Sequence, residues 1–149
     1  MVASQKKLII YTDGGSRGNP GPAALGVVFK DEGGAILKRY GETLGVRTNN
    51  EAEYEAVVFA FQKAKQLYGA AKLKNIQVEI RMDSQLAVEQ LSGRYKIENA
   101  KLQPLFMKIW NQQVELGRAT FVHVPREQNK DADRMVNEAL DRAEQQQLL

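Results

Sequence analysis

Acidic residues at separated places are the strongest candidates for chemistry in this sequence. Asp13 follows a short β-prone run and precedes two glycines, and Asp83 closes a segment of alternating apolar and polar residues. Carboxylates at the ends of strands often build ligand sites in α/β sheets, although an aspartate before glycine is also a common turn residue. If the two strands are parallel neighbours, Asp13 and Asp83 converge at one edge of the sheet.

Glu53 is the acid that is hardest to explain without a ligand. Helical spacing puts it on one stripe with Val57, Ala60, Ala64 and Leu67. Burying a carboxylate is costly unless it is paired or binds a cation. The alternative is that Glu53 lies at the end of the stripe and extends into solvent. We interpret it as a functional residue.

A further carboxylate comes from either Asp131 or Asp133. Both fall in the first turn of a predicted final helix, where the helix dipole favours acids for structural reasons alone. Spacing does not choose between them. The chain has no cysteine, and its one histidine, His123, falls inside a predicted strand. A site of oxygen ligands suits Mg²⁺ or Mn²⁺ rather than zinc, and two such ions about 3.5–4 Å apart can support phosphoryl transfer.

The elements that must position these acids follow the order βββ-α-β-α-α-β-α. The predicted strands cover residues 7–12, 24–30, 35–43, 76–82 and 119–124, and the predicted helices cover 49–68, 84–91, 101–116 and 129–145. A hairpin block before βα units predicts an α/β fold, with a five-stranded mixed sheet flanked by helices. Thr48 and Glu51 form a capping box at the first helix. We expect Trp110 to be a core residue and the tail from Gln145 to be loose.

Composition narrows the class of protein without identifying it. The chain has 149 residues and a formal net charge of +3, which suits an anionic partner but does not require one. No segment approaches the roughly 18 apolar residues of a membrane span, and the N-terminal residues lack the apolar stretch of a secretory leader. We therefore expect one domain over residues 1–149, cytoplasmic, monomeric and without a membrane partner.

Four segments resemble the type I ribonuclease H family in order and spacing. They are Tyr11–Pro22 (YTDGGSRGNPGP), Thr48–Tyr54 (TNNEAEY), Asp83–Gln85 (DSQ) and Pro125–Asp133 (PREQNKDAD). The first two are long and specific, whereas Asp-Ser-Gln alone would be weak. The similarity covers essentially the whole chain, so it implies a ribonuclease H-like fold, with three antiparallel strands followed by two parallel ones, and a single catalytic domain.

The resemblance implies an endoribonuclease that hydrolyses the RNA strand of RNA–DNA hybrids. Its four metal-binding catalytic acids would be Asp13, Glu53, Asp83 and Asp133, which chooses Asp133 over Asp131. Asp13 would bridge two Mg²⁺ ions, Glu53 and Asp83 would hold one of them, and Asp133 would complete the site of the other. Mn²⁺ can substitute, and hydrolysis would leave a 5′-phosphate and a 3′-hydroxyl.

Further residues match the family's substrate-binding positions. Those that match contacts to the RNA strand are Gly14, Asn19, Asn50 and Gln85. Thr48 and Asn49 match a pocket for a phosphate of the DNA strand. For Thr48 this role can coexist with helix capping, because a helix N-terminus is itself an anion site.

The sequence departs from the family pattern in two places. The connection Pro125–Gln128 lacks the histidine that many bacterial members carry in a mobile loop, and Arg126 or Glu127 is the candidate substitute. The segment Leu91–Asn99 joins two helices directly, without a basic, tryptophan-rich protrusion, and offers only a small patch at Arg94–Lys96. Binding of the hybrid should therefore be modest and strongly salt-dependent.

Two other functions are alternatives to this one. A nuclease of the same superfamily could act on double-stranded RNA or a DNA junction, but the segments at Gly14–Asn19 and Thr48–Asn50 match the hybrid-reading surface. A nucleic-acid-binding module without catalysis would be hindered by four clustered carboxylates, because they repel a polyanion unless a metal is present.

Overall fold

The computed structural model describes residues 6–148, and its five strands form one mixed sheet in the order β3-β2-β1-β4-β5. The strands are β1 (Lys6–Ser16), β2 (Gly21–Lys30), β3 (Ile36–Arg47), β4 (Ile76–Met82) and β5 (Ala119–His123). The first three are antiparallel, and β4 is parallel to both β1 and β5. This arrangement confirms the predicted mixed sheet.

Within residues 6–148, five helices flank the sheet. They are α1 (Asn49–Tyr68), α2 (Ala70–Leu73), α3 (Gln85–Leu91), α4 (Gln103–Leu116) and α5 (Lys130–Leu148). The capping box at α1 is confirmed, because Thr48 accepts a hydrogen bond from the backbone N–H of Glu51 while the Glu51 carboxylate accepts one from Thr48. Two short elements were not predicted: α2 and a 3₁₀ turn at Arg126–Gln128.

The two long helices α1 and α5 pack on opposite faces of β2. Leu25 and Val27 belong to the main core with α1, whereas Ala24 packs in a separate cluster with Val136 and Leu140 of α5. Successive residues of a strand point to opposite faces, so this alternation assigns each helix to its own side. The sheet therefore lies between α1 and α5, and both helices can reach its central strand β1.

Asp13 lies inside β1 and not at its end, which corrects the prediction. The strand continues to Ser16 because it stays hydrogen-bonded to β2 as far as the pair Ser16 and Ala23. Its parallel pairing with β4 stops earlier, at Tyr11 and Arg81. Asp13 therefore lies just beyond the end of the parallel ladder, which still places it near Asp83, the residue that follows β4.

Two predictions about the helices are wrong. Trp110 is 46 % exposed, because α4 buries the side of the helix that carries Ile109 and Leu116. The tail from Gln145 is helical as far as Leu148. In the described part of the chain, no helix has both the length and the apolar character needed to cross a membrane. The expectations for residues 1–5 and 149 fall outside the described residues.

Candidate active site

The four predicted acids meet in one cleft of about 440 Å³. Asp13, Glu53, Asp83 and Asp133 all line it. Asp131 does not, because its carboxylate pairs with the Lys30 ammonium at 3.0 Å. The structure thus separates the two acids of the last helix, which spacing alone left undecided.

Glycine at position 14 brings β1 and α1 into backbone contact. A β-carbon at Gly14 would overlap the backbone of Ala52 and Glu53, so no larger residue fits there without moving the helix. Because Gly14 follows Asp13 and Ala52 precedes Glu53, this contact brings two of the acids together. The backbones approach where glycine permits it.

A second glycine contact places Asp133. Asp13 pairs across the sheet with Gly26 of β2, so both lie on the face that α5 covers. A β-carbon at Gly26 would overlap the carbonyl oxygen of Ala132 in α5. The first turn of α5 therefore lies directly beside Asp13, and Asp133 is the next residue along that turn.

Asp83 is positioned by the junction of β4 and α3. The backbone carbonyl of Met82 accepts a hydrogen bond from Val124, which holds the end of β4 beside β5. Ser84 then caps α3 by accepting from the backbone N–H of Ala87 at 3.2 Å. Asp83 is thus fixed between a strand end and a helix start.

The cleft is strongly unfavourable for several negative charges at once. Burial, followed by repulsion from Asp83, Asp133 and Glu53, raises the pKa of Asp13 from 3.8 to about 8, and a hydrogen bond from Gly14 opposes this rise. Burial, opposed by a hydrogen bond with Ser84 and reinforced by repulsion from Asp83, raises the pKa of Glu53 to about 7. A divalent cation would remove this penalty, because it favours the charged form of each carboxyl group.

Glu53 also carries an oxygen without a partner. Its Oε2 atom is buried and makes no hydrogen bond. A buried unpaired carboxylate oxygen is rare in folded proteins and fits a cation ligand. Among residues 6–148, no three acidic or histidine side chains already form a group that could hold an ion.

Most of the predicted substrate-binding residues surround the acids, but two do not. Gly14, Asn19, Asn49 and Asn50 line the cleft, whereas Thr48 and Gln85 lie outside its lining. Asn49 organises this side, because its Oδ1 atom accepts from the Ser16 backbone N–H at 2.9 Å and from the Ser16 hydroxyl at 3.1 Å. The Asn49 backbone N–H donates to Asn19 Oδ1 at 3.1 Å.

Two arginines also line the cleft: Arg126, which the sequence offered as one substitute for the loop histidine, and Arg17, which was not predicted as a site residue. Arg126 lines it, whereas Glu127 is exposed and outside the lining, so the structure favours the first of the two candidates for the missing histidine. His123 ends β5, also outside the lining, as expected for a strand residue. Arg17 lines the cleft from the turn between β1 and β2. The position of Arg17 within the glycine-rich segment was the signal in the sequence that could have identified it as a site residue.

Comparisons with known proteins agree with this fold. A family model described as reverse transcriptase-like matches residues 11–139. The solved structure of LC11-RNase H1, isolated from compost by a metagenomic approach, has a TM-score of 0.87 and 48 % identity, covering 92 % of this chain and 97 % of that one. The same protein has been solved in complex with an RNA/DNA hybrid, with 47 % identity over 91 % of this chain and 98 % of that one and a TM-score of 0.87.

Curated relatives lead to the same family. Ribonuclease HI of Halobacterium salinarum is 39 % identical over 89 % of this chain, which spans 64 % of that protein. A bifunctional protein of Mycobacterium tuberculosis is 39 % identical over 93 % of this chain, which spans only 37 % of that relative's length. With its fold, its four-acid cleft and these relatives, the chain belongs to the type 1 ribonuclease H family of nucleases.

Proposed function

We propose that this chain is an endonuclease that hydrolyses the RNA strand of RNA–DNA hybrids with two divalent metal ions. The observation that carries the proposal is the convergence of four carboxylates in one cleft, where three of them raise the pKa of the fourth, Asp13. The complex of LC11-RNase H1 with a hybrid supports the choice of substrate.

The four acids would hold the ions. Asp13 lies between Glu53, which α1 supplies, and Asp133, which α5 supplies. This position suits a carboxylate shared by both ions. Glu53 and Asp83 would complete one site, and Asp133 the other. Bound Mg²⁺ or Mn²⁺ would stabilise the charge on the attacking and leaving oxygens, and cleavage would leave a 5′-phosphate and a 3′-hydroxyl.

The neighbouring polar residues would bind the two strands. Gly14, Asn19 and Asn50 line the cleft beside the acids, where they can contact the ribose and phosphate of the RNA strand. The 2′-hydroxyl is the group that distinguishes RNA from DNA. Thr48 and Asn49 stand at the N-terminus of α1, which attracts a phosphate of the DNA strand. For Gln85, which begins α3 and is exposed, contact would require the hybrid to extend beyond the cleft.

Arg126 would replace only part of the missing histidine's role. An arginine stays protonated at all working pH values, so its guanidinium cannot accept a proton from water. From its place in the cleft it can instead stabilise the charge on the scissile phosphate. Arg126→Ala should therefore lower the turnover number without altering the pH at which activity rises. Glu127→Ala is the matched control, since Glu127 lies outside the cleft lining.

The deciding experiment compares RNA–DNA, RNA–RNA and DNA–DNA duplexes of the same sequence, each with Mg²⁺, Mn²⁺ or a chelator. We expect metal-dependent loss of the RNA strand of the hybrid alone. Equal cleavage of the RNA duplex would assign another substrate, and retention of all strands would reject catalysis. We also propose that the protein is a monomer that acts in the cytoplasm, and light scattering of the purified chain tests the first of these statements.

A further inference from the structure

We propose that Arg17 is a positioning residue that ties the substrate-reading turn, defined here as Ser16–Pro20, to helix α5. This inference rests on the proposed function. Arg17 donates from Nη1 to Glu144 at 2.6 Å and from Nη2 to Asp141 at 2.7 Å. The same Nη2 atom lies 3.5 Å from the side-chain oxygen of Asn137. One guanidinium thus holds three side chains on successive turns of α5.

The other side of the turn is attached to α1. Ser16 donates two hydrogen bonds to Asn49, and Asn19 accepts one from the backbone N–H of the same residue. Within the turn, the backbone N–H of Arg17 donates to the carbonyl of Pro22 at 2.8 Å. The substrate-reading turn therefore connects α1 with α5, the two helices that supply Glu53 and Asp133 from opposite faces of the sheet.

The charges identify Arg17 as a support and not a phosphate ligand. Both ends of its guanidinium are already occupied by carboxylates, whose hydrogen bonds raise its pKa. Without Arg17, Asp141 and Glu144 would present two unbalanced negative charges near the path of a polyanion. The planar fork of arginine can hold both acids at once, which the single ammonium of a lysine does less well.

The contribution of Arg17 should appear in binding of the substrate and not in the free energy of unfolding. Exposed ion pairs stabilise a fold only slightly, and the two acids of this group are mostly exposed. The turn carries Asn19, so loosening it would weaken binding of the RNA strand while the four acids stay in place. We therefore expect Arg17→Ala to raise KM for the hybrid about threefold to tenfold, with a much smaller change in kcat.

The test compares Arg17→Ala, Arg17→Lys, the double variant Asp141→Asn/Glu144→Gln and the triple variant that combines the double with Arg17→Ala. If Arg17 acts through the two acids, the double variant raises KM in the same direction as Arg17→Ala, the triple variant is no worse than either, and Arg17→Lys is intermediate. If Arg17 is instead a phosphate ligand, freeing it from the acids lowers KM, and that result would overturn the proposal. Arg142→Ala, which removes an exposed arginine of the same helix, is the control for net charge.

Amide hydrogen exchange provides a readout that does not depend on catalysis. In the substrate-free protein, Arg17→Ala and the double variant should both accelerate exchange in the substrate-reading turn and in residues 141–148. Unchanged exchange in both segments would reject the support role of Arg17, whatever the kinetics. If the wild-type chain cleaves no hybrid, the proposed function fails, while this exchange comparison still decides whether Arg17 holds the turn.

Discussion

The side-chain amide of Asn129 donates a hydrogen bond of 3.0 Å to the backbone carbonyl of Thr12, the residue before Asp13. Asn129 is fully buried, and its own backbone carbonyl accepts from the N–H of Asp133 at 3.1 Å. One residue therefore connects the strand that carries Asp13 with the helix turn that carries Asp133. Neither acid can shift far while this connection is intact.

Asn129→Ala should weaken both the fold and the cleft. The substitution removes the side-chain donor to the buried carbonyl of Thr12, which costs about 1–3 kcal/mol of the free energy of unfolding. Chemical denaturation measures this loss, and the cleavage rate should fall as well. Asn111→Ala removes an exposed asparagine of α4 and should change neither quantity. Equal stability of the two variants would contradict the role of Asn129.

Gly14→Ala and Gly15→Ala together test the backbone contact between β1 and α1, because only the first of these two glycines lies in it. The added methyl group at position 14 would overlap the backbone of Ala52, so α1 must move away from β1 and take Glu53 with it. At position 15 the nearest atom, in the Val136 side chain, is 3.5 Å away, which is ordinary contact. We expect Gly14→Ala to lose most activity and to lower the melting temperature, whereas Gly15→Ala keeps its fold. A tolerated Gly14→Ala would disprove the backbone contact.

Asp133→Asn should abolish most cleavage, whereas Asp131→Asn should do little. Asp133 lines the cleft and contributes to the raised pKa of Asp13, while Asp131 pairs with Lys30. Single-turnover cleavage of a hybrid at saturating Mg²⁺ measures both. Asp13→Asn should be inactive yet folded, as seen by circular dichroism. Equal damage from the changes at 131 and 133 would show that the assignment in α5 is wrong.

The metal-free protein should become more stable as the pH is lowered. The pKa of Asp13 is raised from 3.8 to about 8, so between these values the folded chain binds more protons than the unfolded chain. The free energy of unfolding therefore falls as pH rises through this window. Glu53 acts in the same direction, up to its pKa of about 7.

Thermal unfolding in chelator at several pH values measures this dependence. Asp13→Asn should flatten it, because the substitution removes the carboxyl group whose pKa is raised most and reduces repulsion of the other acids. Adding Mg²⁺ should flatten it too, since a bound cation favours the charged carboxylates. Identical pH slopes for the wild type and Asp13→Asn would contradict the assigned repulsion.

Local patterns in the sequence were sufficient to predict several helices and strands and part of the candidate site. The capping box of Thr48 and Glu51 and the alternation of β4 depend on residues a few positions apart, and both are confirmed. The burial of Val57 and Ala60 confirms the stripe that made Glu53 unusual, although Leu67 at its end is 42 % exposed. Periodicity therefore identified the face of α1 but not how far the core extends.

Other features depend on contacts between distant segments, which a pattern does not contain. Asp13 continues a strand because β2 pairs with it, and Trp110 is exposed because only part of α4 is covered. The separation of Asp131 from Asp133 depends on Lys30, a residue of β2. Family resemblance chose Asp133 over Asp131, and the reason that Asp133 alone lines the cleft depends on how the helix packs on the sheet.

The glycine contacts at Gly14 and Gly26 make the spacing of the site a property of the backbone. Main-chain atoms meet at both places, so the separation of α1 from β1 and of α5 from β2 does not depend on the size of any side chain between them. Substitutions elsewhere in the core can then change the stability of the protein while leaving the carboxylates in register. Such an arrangement would let the sequence diverge widely while the catalytic geometry stays unchanged. Gly14 and Gly26 would be the positions that tolerate substitution least.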